Sequence, residues 1–192
     1  LRRALLDTTL EIVTEHGGTG GLTLRDAARR AGVSHNAPYR HFADKGALLA
    51  TLAEEGFTEL TERLATARAG VANAEERFVL TGITYLRFCL DRPGHIAVMF
   101  GPEITKSRTS ALQRVANDTF QIMKDLAVDA GIHDVADARR LGTVVWSFVD
   151  GLARLTSRDQ VPPSVGATAE ELAETGLRLL FKAFRQAAKK TR

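Results

Sequence analysis

The sequence predicts an all-α chain, with an N-terminal three-helix head containing a helix-turn-helix and a long helix leading into a larger C-terminal helical domain. Three observations carry this. Beyond residue 50, apolar residues recur three and four apart, and β-type alternation is absent. Helix-starting residues (Thr23, Ser34, Asp44, Asn73 and Thr168) stand before apolar runs that mostly end at glycine or proline. Between Leu22 and Leu48 the caps lie so close together that only short helices fit. The domains are expected at 1–50 and 51–192.

The first helix is expected over about residues 2–16, stopped by Gly17-Gly18. Thr23 can cap a second helix from Leu24 to Arg30, accepting from the Asp26 N–H, with the Asp26 carboxylate in the first turn. Gly32 in Ala31-Gly32-Val33 permits the positive φ of a sharp turn. Ser34 is expected to cap a third, shorter helix ending near His41. Pro38 falls at about its fourth position, where at most the first intrahelical hydrogen bond is lost. Asp44 starts a long helix running towards Ala69. Asn73 with Glu76 marks the next, up to Asp91, where Arg92-Pro93-Gly94 breaks the chain. A short helix through His95–Phe100 leads to Gly101-Pro102, and another covers about Ser107–Ala130. Helices at about Asp134–Arg158 and Thr168–Lys189 follow, the last with a Thr168/Glu171 capping box.

The third helix has the chemistry of a DNA reader. In a helix-turn-helix the second helix of the motif enters the major groove. Here its first turn would present His35, Asn36 and Ala37. Asparagine pairs two-point with adenine, and alanine touches a thymine methyl. Tyr39 and His41 can donate to phosphates, Lys45 meets an anion at a helix start, and Arg25 reaches a phosphate or a guanine edge. From Leu22 to Gly46 five basic side chains (Arg25, Arg29, Arg30, Arg40, Lys45) face two acidic ones, and that surplus equals the chain's net charge of +3.

Residues 1 to about 60 resemble the DNA-binding domain of the TetR (tetracycline repressor) family of bacterial transcription regulators. The resemblance rests on the Gly32-Val33-Ser34 turn, the Tyr39-Arg40-His41-Phe42 run and Lys45-Gly46-Ala47-Leu48-Leu49. It implies DNA-contacting positions at Arg25, His35, Asn36, Ala37, Tyr39, His41 and Lys45, beside the capping residues Thr23 and Ser34. Tyr39 and Lys45 would clamp phosphates, and the three residues before Pro38 would choose sequence. The family's basic N-terminal arm is represented by Arg2 and Arg3; the chain starts at Leu1 without Met, so trimming of an upstream arm is expected.

The last two helices carry two apolar faces each. Leu141, Val144, Val145, Phe148, Leu152 and Leu155 make one stripe; Leu172, Gly176, Leu179, Leu180, Ala183 and Ala187 make another, with Leu177, Phe181 and Phe184 on a further face. Two apolar faces call for two partners. A four-helix interface between two copies is expected, built on Val144, Phe148, Leu152, Leu172, Gly176, Leu179, Leu180 and Ala183. In the TetR family the two final helices form the dimer interface. Two-fold symmetry would then present two recognition helices to half-sites roughly 34–36 Å apart on an inverted repeat.

The C-terminal part is also similar to a TetR subgroup with a Trp-x-x-Val-His-Gly signature. Here the stretch runs Trp146-Ser147-Phe148-Val149-Asp150-Gly151, with Asp150 in place of the histidine. Tyr85-Leu86-Arg87-Phe88, Asp91-Arg92-Pro93 and Met99-Phe100-Gly101-Pro102-Glu103 fit the same subgroup. The family's logic implies repression relieved by a small molecule that displaces His95–Phe100. Candidate ligand-binding residues are Tyr85, Phe88, Cys89, His95, Met99, Phe100, Phe120, Met123, Trp146 and Phe148. They suit a largely apolar effector.

Composition narrows the remaining classes. Hydrophobic residues make up 44% of 192, enough for a proper core. No apolar run approaches the ~20 residues that span a bilayer, so no membrane contact is expected. Cys89 stands alone, which excludes an internal disulfide and points to a reducing cytoplasm. No cofactor and no metal are expected, and no Gly-rich phosphate loop or nucleophile elbow is present. An enzyme would have to use Asp91, His95 and Glu103, whose spacing suits a loop-bounded turn better. A DNA-binding regulator without an effector, or an activator, is the other alternative.

Overall fold

Helix caps and breaks place nearly every element of this chain. The computed structural model describes residues 1–106 and 110–190. Among them the helices are α1 (Arg2–His16), α2 (Leu24–Arg30), α3 (Lys45–Arg68), α4 (Ala74–Asp91), α5 (Pro93–Met99), α6 (Pro102–Lys106), α7 (Ser110–Asp129), α8 (Val135–Ser157) and α9 (Ala169–Lys190). Strands are absent from the described residues, so the fold is all-α. Gly17 closes α1 with φ of 66°, and the Gly18 N–H returns to the Val13 carbonyl at 3.0 Å.

Two expectations need correction. The segment from Ser34 to His41 is no α-helix: a turn leads into a single 3₁₀ turn at Pro38–Arg40. Pro38 has no N–H to close the first α-turn onto the Ser34 carbonyl, so the Ala37 N–H does so at 2.9 Å, one residue earlier. The loss is therefore larger than one hydrogen bond. Gly101-Pro102 was expected only as a break, yet Pro102 begins α6. At the first helical position the missing N–H costs nothing and the fixed φ favours the helix.

The chain packs as two units. The first comprises Leu1–Glu59 with Arg92–Asn117. Its core gathers Leu5, Leu6, Ile12 and Val13 of α1, Ala27 and Ala28 of α2, Leu48, Leu49 and Leu52 of α3, and Val98 and Met99 of α5, all 4% exposed or less. Helices α1 and α5 approach so closely that a Cβ on Gly94 would lie 2.6 Å from Thr14 Oγ1.

The second unit comprises Leu60–Asp91 with Asp118–Arg192. Here α4 packs against both α8 and α9. Phe78 and Phe181 meet edge to face at 5.3 Å between ring centres. Gly82 is the close-approach residue, since a Cβ there would lie 2.4 Å from Leu177 Cδ1. Leu177 is fully buried and cannot give way. Gly82→Val should therefore cost roughly 2 kcal/mol, read in urea unfolding as a lower midpoint at unchanged slope. An unchanged midpoint would show that α9 shifts freely along α4.

Candidate nucleic-acid interface

Local chemistry builds a short, outward-facing ledge in the first unit. Thr23 caps α2: its hydroxyl accepts from the Asp26 N–H at 3.2 Å, and the Asp26 carboxylate accepts from the Thr23 N–H at 3.1 Å. The Thr23 hydroxyl also donates to Asp26 at 2.6 Å, which makes Thr23 a cap first. At the far end Gly32 takes φ of 67°. The Val33 N–H bonds the Ala28 carbonyl at 3.0 Å and turns the chain sharply.

The ledge follows. Pro38 and Phe42 are buried beneath it. The His41 and Phe42 N–H groups both reach the Pro38 carbonyl at 2.9 Å, which fixes the turn from below. Arg2 lies over the Phe42 ring at 5.3 Å. Ser34, His35, Asn36, Tyr39 and His41 face solvent, Tyr39 being 53% exposed, and Ala37 is half-buried. Arg25 is exposed on α2. Arg40, counted among the basic residues of this segment, is also exposed.

Not every cation of the head is available. Arg29 pairs with Asp26 at 2.8 Å, and Arg30 binds Glu15 and, at 3.4 Å, Glu11 on α1. Arg3 pairs with Asp7 and Glu55, each at 2.8 Å. Lys45 is half-buried. Its ammonium donates to the Thr19 carbonyl at 2.9 Å and pairs with Glu103 Oε1 at 2.9 Å. Glu103 was not foreseen in this place, because nothing local links residues so far apart in sequence.

The candidate ligand residues fall in both units. In the first, Met99 and His95 lie against Gly56, and Phe100 meets Phe57 edge to face at 6.0 Å. Burial holds the His95 imidazole below its ordinary pKa, against the pull of Glu59 and Glu55. In the second, the Trp146 indole N–H donates to the Tyr85 hydroxyl at 2.8 Å. Burial pushes the neighbouring Cys89 thiol up to about 12, with a Tyr85 hydrogen bond pulling the other way, so Cys89 is a poor nucleophile. Phe88 is fully buried, Phe148 half-buried and Phe120 51% exposed; Met123 lies outside the described side chains. A surface hollow of about 220 Å³ is lined by Thr156, Val161, Pro162 and their neighbours, and none of these candidates borders it.

The outer faces of the last two helices separate cleanly from the inner ones. Leu141, Val145, Val149 and Leu152 point into the unit, as do Ala173, Leu177 and Phe181. Val144 is 43% and Leu179 64% exposed, Ala183 is exposed, and Leu172, Gly176 and Leu180 are half-buried. Gly176 already serves the chain itself: a Cβ there would lie 2.2 Å from Phe148 Cζ. Of the residues an enzyme would need, Asp91 pairs with Arg63 at 2.8 Å and Glu103 with Lys45. Among the described residues no group of acidic, His and Cys side chains has the makings of a metal site, and no helix is long and apolar enough to cross a membrane.

Two family models match the chain. One, described as bacterial regulatory proteins of the tetR family, covers residues 5–52 and therefore the ledge. The other, a tetracyclin repressor-like C-terminal domain, covers residues 78–180, more than half the chain. The chain belongs to the TetR family. It is thus a transcription regulator with a DNA-binding head, not an enzyme. Solved structures agree. A Rhodococcus sp. RHA1 protein of unknown function is 31% identical over 95% of this chain and 94% of its own, with a TM-score of 0.74. A tetR-family regulatory protein from Rhodococcus RHA1 is 18% identical over 94% and 95%, with a TM-score of 0.73. The regulator FadR from Bacillus subtilis, in complex with stearoyl-CoA, is 18% identical over 94% and 98%, with a TM-score of 0.70. The last two share the TetR fold with this chain.

Proposed function

We propose that this TetR-family regulator is a cytoplasmic homodimeric repressor that holds an inverted-repeat operator and releases it when a small apolar ligand binds the C-terminal part. Residues 1–50 read DNA, and residues 51–192 dimerise and take the ligand. The observation that carries the reading is the ledge from Ser34 to His41. Its polar side chains face outward while Pro38 and Phe42 anchor it from within. A rigid support beneath exposed hydrogen-bonding groups is what base recognition requires. The N-terminal residues of a recognition helix meet base edges, and His35, Asn36 and Ala37 hold that place just ahead of the 3₁₀ turn.

His35, Asn36 and Ala37 are assigned to base edges, Tyr39, His41 and Lys45 to phosphates, and Arg25 to a phosphate or a guanine edge. The apolar outer faces of α8 and α9 supply the two-fold contact that pairs two ledges on one duplex. An acyl-chain compound of the kind bound by FadR is a sensible first effector to try. The C-terminal part also fits the Trp-x-x-Val-His-Gly subgroup. Asp150, at the histidine position, holds Arg154 at 2.7 Å, so the histidine's role is not carried over.

The experiment is selection of a preferred duplex from a random library, followed by titration of Asn36→Ala. The selected site should be an inverted repeat. Asn36→Ala should lose about 1–3 kcal/mol on it and nothing on random DNA. Equal losses on both duplexes would remove Asn36 from base reading.

A further inference from the structure

We propose that Glu103 stands, at Lys45, in the place of a DNA phosphate, so that the Lys45–Glu103 pair and the duplex compete for one ammonium group. The inference rests on the assignment of Lys45 to a phosphate contact. A carboxylate oxygen 2.9 Å from Nζ satisfies the ammonium as a phosphate oxygen does. Its charge would also repel a phosphate approaching the same group.

The arrangement is built rather than incidental. The other carboxylate oxygen of Glu103 accepts from the Thr19 hydroxyl at 2.6 Å, and the Thr19 carbonyl accepts from Lys45 at 2.9 Å. Thr19 is 4% exposed, so this three-residue knot is tied to the interior of the head. Burial raises the Glu103 carboxyl, but the Thr19 and Lys45 hydrogen bonds outweigh it and keep the group ionised.

Position makes the knot regulatory. Glu103 lies in the first turn of α6, directly after α5. Gly101 joins the two helices at a corner where a Cβ would lie 2.9 Å from the Ala97 carbonyl. A shift of α5 therefore carries Glu103 with it. By linkage, whatever favours the Lys45–Glu103 pair weakens DNA binding, and DNA binding loosens the pair. An effector that stabilises the paired arrangement releases the operator.

The test is Glu103→Gln in the full chain, titrated with the selected operator over a salt series. Affinity should rise about three- to five-fold, the scale of one partly exposed ion pair. The salt slope should steepen by about one. Neither change should occur in a Lys45→Ala background. Unchanged or weaker binding by Glu103→Gln, or the same gain without Lys45, overturns the proposal. If Glu103→Gln misfolds by circular dichroism, Thr19→Val loosens Glu103 while keeping both charges. It should then gain affinity about two-fold, and no gain counts equally against the proposal. Lys45→Ala alone separates the two readings. If it leaves affinity and slope unchanged, the phosphate assignment fails. If it lowers both while Glu103→Gln has no effect, only the competition fails.

Discussion

A glutamate in place of Leu179 should split the protein into single subunits and lower its affinity for a two-half-site duplex by about 10²–10⁴-fold. Leu179 is 64% exposed, so the subunit's own core does not depend on it. Together with the exposed Val144 and Ala183 and the half-buried Leu172, it lies on the outer side of α8 and α9. In a two-fold contact each subunit would place its glutamate against the same apolar surface of the other. The charge would be desolvated there without a partner, which is costly. Sedimentation gives the subunit count and operator titration gives the affinity. Circular dichroism should be unchanged. A Leu179→Glu protein that remains a dimer would move the interface off these helices.

Removing Asp129 should cost about 3 kcal/mol of stability, or roughly 6–12 °C of thermal midpoint. Its side chain is 8% exposed and holds two guanidinium groups, Arg77 on α4 and, at 3.2 Å, Arg68 on α3. Arg68 also donates to Thr81, and Arg77 to the Val71 and Ala72 carbonyls. One carboxylate thus draws α3, α4, α7 and the α3–α4 loop together. Asp129→Ala leaves two cations side by side with no counter-charge. Arg77 is about a quarter exposed, which keeps the loss at the low end for a broken buried pair. Combining Asp129→Leu with Arg77→Met should recover part of the loss, since apolar packing can replace a buried pair. No drop in the midpoint of Asp129→Ala would make the cluster decorative.

Much of the fold was legible because capping is local. Thr23 with Asp26, Asp44 with the Ala47 N–H and Thr168 with Glu171 each close within three residues. Pro102 was legible in principle, since proline starts helices as readily as it stops them. The Ser34–His41 segment departs from the helix expected there because one missing N–H propagates: with the first α-turn bond lost, the Ala37, Arg40 and His41 N–H groups bond at three-residue spacing. The burial of Pro38 and Phe42, which leaves the polar side chains of that segment facing outward, is a finding of the structure.

The order of the long helices and the capped turn at Thr23 follow from spacings of three and four along the chain. Backbone hydrogen bonding and side-chain periodicity act over that range. Which apolar face of α8 and α9 turns inward, the use of Gly176 by Phe148, and the meeting of Lys45 with Glu103 depend on helices distant in sequence. Only packing brings those groups within the few ångströms where contact and charge act, so only the tertiary structure decides them.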